Sequence, residues 1–324
     1  MKGLLPGIKI DYWAGQHRKV GEHVTVAMLQ TSYKGLPPDM ITMFGNIVQD
    51  ECHHAPSATF SAVINQFPAK YRYGLTATPK RRDGKSFYIK SIFGEVLVEL
   101  GYKDVGERII LPRVVVVPTI LAEDYSTCYR ANRQTGGVVL DYTKAFNLMA
   151  KDYMRNMQIL QIISECLEDA SAYVLVLTKR RDNAKTLYEF LQSQGVAVEL
   201  LLGGGGEKEK RRKDEALAKT RAGLNRVIIG TSVADEGLDV VNLNRVILAS
   251  PTSWYGSLQQ RIGRGIRNHD GKDTPIVFDL VDIDIPECLD SWRARKRFYS
   301  KHEFEMDYTR CSGTLLEEKK SDSE

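Results

Sequence analysis

The chain has 324 residues, 43% of them hydrophobic and 27% charged, an ordinary globular composition that excludes a wholly disordered or collagen-like chain. Lysine and arginine number 45 against 41 acidic residues, and the resulting net charge of +4 is too mild to point to nucleic acid by itself. No apolar run approaches the ~20 residues of a membrane span, the amino terminus lacks a secretory pattern, and the cysteines at 52, 128, 166, 288 and 311 form no CxxC pair. The chain therefore reads as soluble and cytoplasmic, with neither a disulfide scaffold nor a zinc site.

Short apolar or β-branched runs at 24–29, 47–49 and 73–77 predict the strands of a first region, residues 1–95. Residues 96–141 are irregular and glycine-punctuated, and read as a connector with a small β-containing insertion. A second region, 142–285, opens on helical periodicity over 142–168, where Phe146, Met149, Tyr153, Met157, Leu160, Ile163 and Leu167 recur at three- and four-residue steps. Further on, strands are predicted at 173–177, 196–201, 226–230, 245–249 and 275–280. They alternate with a helix at 185–194, capped by Asp182 and Asn183, and a basic helix at 208–219. Nearly continuous apolar strands separated by helices imply α/β architecture with parallel sheets covered on both faces. Beyond Pro286 the sequence turns polar, so 286–324 reads as an extension with a frayed end at 317–324.

Three segments carry chemistry. Asp50-Glu51-Cys52-His53 follows the strand at 47–49, placing two carboxylates at a strand's carboxyl end, where α/β sheets present their ligand sites. One carboxylate of such a pair can hold Mg²⁺ through water while the other orients a nucleophilic water; an ordinary polar strand end has the same composition. Gln260, Arg264 and Arg267 share one face of a predicted helix, and two guanidinium forks beside an amide suit a polyphosphate, or simply a solvated basic face. Thr231 and Ser232 end the strand at 226–230, and Gly237 and Asp239 follow. Hydroxyls and exposed amides there can bind a sugar-phosphate backbone while the glycine and aspartate approach a ribose, or the string can be a helix cap.

Taken together, Asp50-Glu-Cys-His, Gly74-Leu-Thr76-Ala-Thr78-Pro, Gly230-Thr231 through Asp239, and Gln260 through Arg267 stand in the order and approximate spacing of motifs II, III, V and VI of superfamily 2 helicases. Val26-Ala-Met-Leu-Gln30-Thr-Ser32 resembles the upstream motif that contacts the nucleic-acid backbone, and 173–178 resembles motif IV. The chain is similar to the DExH-box branch of phage recombination helicases, XPB-type repair helicases and restriction-enzyme motors, over about residues 20–285.

The resemblance implies two RecA-like parallel-sheet lobes, the first incomplete at its amino end, and ATP-dependent translocation on or unwinding of DNA, with RNA less favoured. It implies that Asp50 positions Mg²⁺ on ATP, with Glu51 beside it orienting the attacking water. His53 then links the nucleotide site to the second lobe, and Thr76 and Thr78 couple hydrolysis to movement. Gly237 and Asp239 approach the nucleotide, while Gln260, Arg264 and Arg267 meet its γ-phosphate. Gln30, Ser32, Thr231 and Ser232 become strand-backbone contacts. The family's phosphate-binding loop, GxxxxGK[ST], is not matched: Gly84-Lys85-Ser86 has Pro79 at the first glycine position, and 203–206 continues without the lysine and hydroxyl. The expectation is a fragment, one half of a split helicase whose partner chain supplies the loop, or a relative that binds nucleic acid without hydrolysis.

Overall fold

The computed structural model describes residues 7–76, 84, 86–101, 104, 110–132, 136–203, 207–231, 243–251, 274–314 and 316, with the side chains of 207–210 left aside. The chain forms two compact units, Met1–Glu99 and Leu100–Glu324. Among the described residues no helix is long and apolar enough to cross a membrane.

In the first unit, β1 (Ile10–Ala14) turns through Gly15, at φ +57°, into the short antiparallel β2 (His17–Arg18). It also pairs in parallel with β3 (Val24–Ala27), Ile10 opposite Val24. The predicted strand at 24–29 stops at Ala27, and its last residue starts the short helix α1 (Leu29–Tyr33). After α2 (Pro38–Met43), β4 (Asn46–Gln49) runs parallel to β5 (Tyr71–Gly74), with α3 (Ala58–Ile64) crossing between them and α4 (Ser86–Phe93) following.

The second unit is built on a seven-stranded sheet, every pair of it parallel. Its strands in chain order are β6 (Arg113–Pro118), β9 (Val174–Leu177), β10 (Val198–Leu201), β11 (Val227–Gly230), β12 (Arg245–Leu248), β13 (Ile276–Val281) and β14 (Met306–Asp307). The antiparallel pair β7 (Tyr129–Ala131) and β8 (Val138–Leu140) stands apart. Across the sheet the order is β10-β11-β9-β12-β13-β6-β14.

Alternation along each strand fills two cores, because successive side chains leave opposite faces. Leu175, Leu177, Ile228, Val246 and Leu248 point to one face, which is covered by α8 (Glu207–Arg221) and α9 (Pro286–Lys301) through Leu217, Trp292, Phe298 and Tyr299. Val174, Val176, Val227, Ile229 and Ile247 point to the other, under α6 (Tyr153–Glu168) and α7 (Arg181–Ser193) through Ile159, Ile163, Leu187 and Leu191.

Three further features differ from the sequence reading. Arg113–Pro118, placed in the connector, is β6, an inner strand of this sheet; its partner β13 lies some 160 residues away, beyond any local pattern. The helix read over 142–168 breaks at Asp152 into α5 (Tyr142–Lys151) and α6. There the Asp152 carboxylate accepts from the backbone N–H of Arg155 at 3.0 Å and from those of Ala122 and Glu123 at 2.9 and 3.1 Å. These bonds recruit a neighbouring loop, which a continuous helix could not hold, and Tyr153 is left 68% exposed. The segment from Pro286 is structural, with Trp292, Phe298, Tyr299, Phe304 and Cys311 in the core, while the end at 317–324 lies outside the described residues.

Two buried ion pairs fasten β13 and the residue just past it to helices on opposite faces. Arg155 of α6 donates to Asp282 at 2.7 and 3.3 Å and to the Ala249 carbonyl at 2.9 Å, and the Thr119 hydroxyl adds a 2.9 Å bond to the same carboxylate. On α9, Arg295 donates to both oxygens of Asp279, at 3.0 and 2.8 Å, and Tyr299 donates to it at 2.7 Å. Removing one partner strands a charge in the core. Asp282→Ala is therefore expected to lose about 3–5 kcal/mol in chemical denaturation, and pairing Arg155→Met with Asp282→Leu to recover most of it. Equal stabilities for the single and double variants would contradict this account.

Candidate functional site

The acidic pair and Thr76 are brought together at the carboxyl ends of β4 and β5. The strand pairing runs past the strands: Leu75 N–H donates to the Gln49 carbonyl at 2.8 Å, and Cys52 N–H donates back to the Leu75 carbonyl at 2.9 Å. The chain must turn sharply between those two bonds. Glu51 takes the turn at φ 51°, ψ 45°, a left-handed conformation that an L-residue with a long side chain rarely adopts. Asp50 sits just before it, and its carboxylate accepts from the Glu51 backbone N–H at 2.9 Å.

His53, in the short 3-10 turn that follows, lies with Nδ1 2.9 Å from the Thr76 hydroxyl and 3.2 Å from a Glu51 carboxylate oxygen. One imidazole thus joins the acidic turn to the end of the neighbouring strand. The rings of His53 and His54 lie 4.1 Å apart, tilted by 41°. Among the described residues no group of three or more His, Cys, Asp or Glu could hold a metal ion. The donors present are carboxylates next to a strand end, and they fit a hydrated hard cation such as Mg²⁺ rather than a closed protein cage.

Cys52 packs beneath the turn, only 2% exposed. Burial, and then the Glu51 carboxylate, push its thiol above the usual range. Its sulfur explains Gly74: a Cβ on that residue would stand 2.8 Å from Cys52 Sγ and 3.0 Å from the Phe93 ring.

The predicted strand-contact residues stand in different settings. Gln30 is exposed on α1, whereas Ser32 is buried and its hydroxyl donates to the Met28 carbonyl at 3.0 Å. In the second unit Thr231 is also buried; its hydroxyl accepts from Gly203 N–H at 3.0 Å and ties the ends of β10 and β11 together. Thr78, Ser232, Gly237, Asp239, Gln260, Arg264 and Arg267 lie outside the described residues.

The structure joins Thr178, at the end of the segment resembling motif IV, to Lys179 and Ser250, which the sequence reading did not single out. At the carboxyl ends of β9 and β12, the Thr178 hydroxyl reaches Asn183 Oδ1 at 2.8 Å and Ser250 Oγ at 3.2 Å, and Lys179 N–H donates to Ser250 Oγ at 3.0 Å. Lys179 and Arg180 both lie over the Phe146 ring, at 4.9 and 5.9 Å. Asn183, expected as a helix cap, is instead buried, and its amide donates to Asn156 at 2.7 Å. The available signal was Thr178-Lys-Arg-Arg directly after an apolar run.

Comparison with known proteins defines the class. The fold matches that of yeast Dbp5, whose structure was solved bound to RNA and ADP BeF3, with a TM-score of 0.59 at 15% identity over 93% of this chain and 70% of that one. The architecture is therefore that of RecA-like helicase domains. Residues 6–81 match the family described as type III restriction enzyme, res subunit, and residues 156–269 match the helicase conserved C-terminal domain.

Among full-length relatives, the DNA 3'-5' translocase XPB2 of Sulfurisphaera tokodaii is 25% identical over 70% of this chain and 56% of its own length. The ATP-dependent DNA helicase uvsW of Enterobacteria phage T4 is 23% identical over 80% of this chain and 50% of its own length. The chain belongs to the superfamily 2 helicases, in the branch of XPB-type, phage and restriction-motor proteins. It spans about half the length of the curated relatives it matches.

Two substitutions test the turn. Gly74→Ala is expected to cost about 1–3 kcal/mol through overpacking, and adding Cys52→Ala to recover part of that. Glu51→Gly is expected to raise stability by about 1 kcal/mol by relieving the left-handed strain. A destabilised Glu51→Gly protein, or a Gly74→Ala cost untouched by Cys52→Ala, would contradict the packing described.

Proposed function

We propose that this chain is the motor part of an ATP-dependent DNA translocase or helicase, in which nucleic-acid-stimulated ATP hydrolysis drives movement along a strand or its separation. The observation that carries the reading is the placement of His53, whose Nδ1 is hydrogen-bonded to the Thr76 hydroxyl at 2.9 Å and lies 3.2 Å from a Glu51 carboxylate oxygen, at the carboxyl ends of paired parallel strands. Such a connection lets the state of a hydrolytic carboxylate be felt on the adjacent strand.

In this reading Glu51 orients the attacking water and Asp50 holds Mg²⁺ through water. The ion, when bound, neutralises the β- and γ-phosphates. Thr76, with Thr78 after it, carries the change away from the nucleotide, and His53 relays it toward the second unit. Gly237 and Asp239 approach the nucleotide, and Gln260, Arg264 and Arg267 meet its γ-phosphate. Gln30, Ser32, Thr231 and Ser232 attend the strand backbone, Thr231 and Ser32 by fixing backbone groups near it. The printed names of the relatives divide: XPB2 and uvsW name DNA and support that choice, whereas the putative ATP-dependent RNA helicase L396 of Acanthamoeba polyphaga mimivirus, 28% identical over 90% of this chain, names RNA, and Dbp5 was solved with RNA.

A phosphate-binding loop from outside these 324 residues is part of the proposal, supplied by further sequence of the same protein or by a partner chain. The share of the relatives that the chain spans supports this. A second reading, nucleic-acid binding that completes a motor without turnover in this chain, follows from the same observation.

ATP turnover of this chain together with the sequence or partner that supplies the phosphate-binding loop, measured with and without single-stranded DNA, duplex DNA and RNA, separates these readings. The first expects stimulation by DNA and a fall of about 100-fold or more in Glu51→Gln and in Arg264→Ala. Turnover unchanged in both variants would overturn the roles assigned. DNA bound in a salt-dependent way without turnover would favour the second reading.

A further inference from the structure

Helix α9 lies outside both segments that match known families, and none of the motifs above falls on it. Its two faces have opposite characters. Trp292, Phe298 and Tyr299 are packed into the core, and Arg295 is buried in its ion pair with Asp279. This fixes the helix in rotation about its own axis.

The outer face then carries Arg293, Lys296, Arg297, Ser300 and Lys301, at three- and four-residue steps, and these five residues line an open depression of about 620 Å³. Arg293 is partly neutralised by Asp290 at 2.7 Å, and Lys296 lies over the Tyr308 ring at 5.3 Å. Arg297 and Lys301 have no ion-pair partner among the described residues. Burial, and then the charge of Lys301, hold the neighbouring His302 below its ordinary range, in keeping with a positive potential at this end of the helix.

We propose that this outer face of α9 is a second nucleic-acid contact, a docking surface for consecutive phosphates of a DNA strand, separate from the strand-backbone residues of the motor motifs. The cations from Arg293 to Lys301 span eight helical steps, about 12 Å at 1.5 Å per residue. Successive phosphates of one strand lie about twice their 3.4 Å axial rise apart, so that length spans about two to three of them. Arginine forks grip phosphate oxygens in pairs, lysine tips adapt as point charges, and the Ser300 hydroxyl adds a neutral donor between them. The buried Arg295–Asp279 pair makes the surface preorganised, because the helix cannot roll to hide its cations.

The inference rests on the nucleic-acid reading of the previous section but concerns residues which that reading does not use. Its test is binding of a fluorescent single-stranded or duplex DNA oligonucleotide to the full chain across a series of salt concentrations, without ATP. The variants are the neutral pair Arg297→Gln with Lys301→Gln and the reversed pair Arg297→Glu with Lys301→Glu, each checked for an unchanged unfolding midpoint.

Losing two phosphate contacts is expected to lower the salt slope by about 1.5 and to weaken binding roughly tenfold at moderate salt, with a larger loss for the reversed pair. Wild-type affinity and slope in both variants would overturn the proposal while leaving the helicase reading intact. Failure of the wild-type chain to bind any oligonucleotide would overturn both. A polyglutamate peptide bound as tightly as DNA, and lost in the same variants, would overturn it in favour of an acidic protein partner.

Discussion

The site in the first unit depends on one local constraint, the way β4 and β5 continue to hydrogen-bond after they cease to be strands. Leu75 donates back to Gln49, and Cys52 donates across to Leu75, so the two chain ends are held side by side while Asp50 and Glu51 pass between the bonds. Everything chemical about the site follows from that clamp. It forces Glu51 into a left-handed turn, puts Asp50 over the Glu51 amide, and places His53 between Glu51 and Thr76. It also requires Gly74, because the Cys52 side chain occupies the space a Cβ would take. Such strain persists only where the surroundings over-determine it, and here hydrogen bonds on one side and a buried sulfur on the other do so.

The second unit obeys a different constraint, burial on both faces. Strands β9, β11 and β12 are buried at every position, so polar chemistry can appear only where the strands end. Thr178 and Thr231 stand at two such ends, and Ser250 lies close beside a third, at β12; each hydroxyl is spent on holding a neighbouring loop. The Arg155–Asp282 and Arg295–Asp279 pairs connect β13 and its end to helices on opposite faces, which gives those loops a stiff base. Buried pairs of this kind add little net stability, and their value here lies in fixing how each helix is rotated.

Most of the second sheet was legible in the sequence, because runs such as Val174–Leu177 and Val227–Gly230 are apolar throughout and bounded by helical patterns. What was not legible has specific causes. The apolar rhythm through Met149, Tyr153 and Met157 stays in phase across Asp152, so nothing local announces the break; the loop bonds that cause it come from residues 122 and 123. β6 finds its partner only across a long stretch of chain. α9 looked like a polar extension because its outer cations dominate the composition and Arg295, counted as polar, is buried.

At the site, Asp50 and Glu51 were legible as a carboxylate pair at a strand end, and the family resemblance added His53 and Thr76 as candidates. The left-handed turn, the inward hydroxyl of Ser32 and the structural task of Thr231 depend on backbone geometry that no residue type declares.

The central claim is that the His53 imidazole, lying against Glu51, is coupled to Thr76 on the neighbouring strand. A double-mutant cycle on equilibrium unfolding, with His53→Ala, Thr76→Val and their combination, tests it without reference to turnover. The account predicts a coupling of about 0.5 kcal/mol or more between the two positions, since contacting residues do not add independently. Strict additivity would contradict it, because His53 and Thr76 would then be neighbours in space with no interaction for a motor to use.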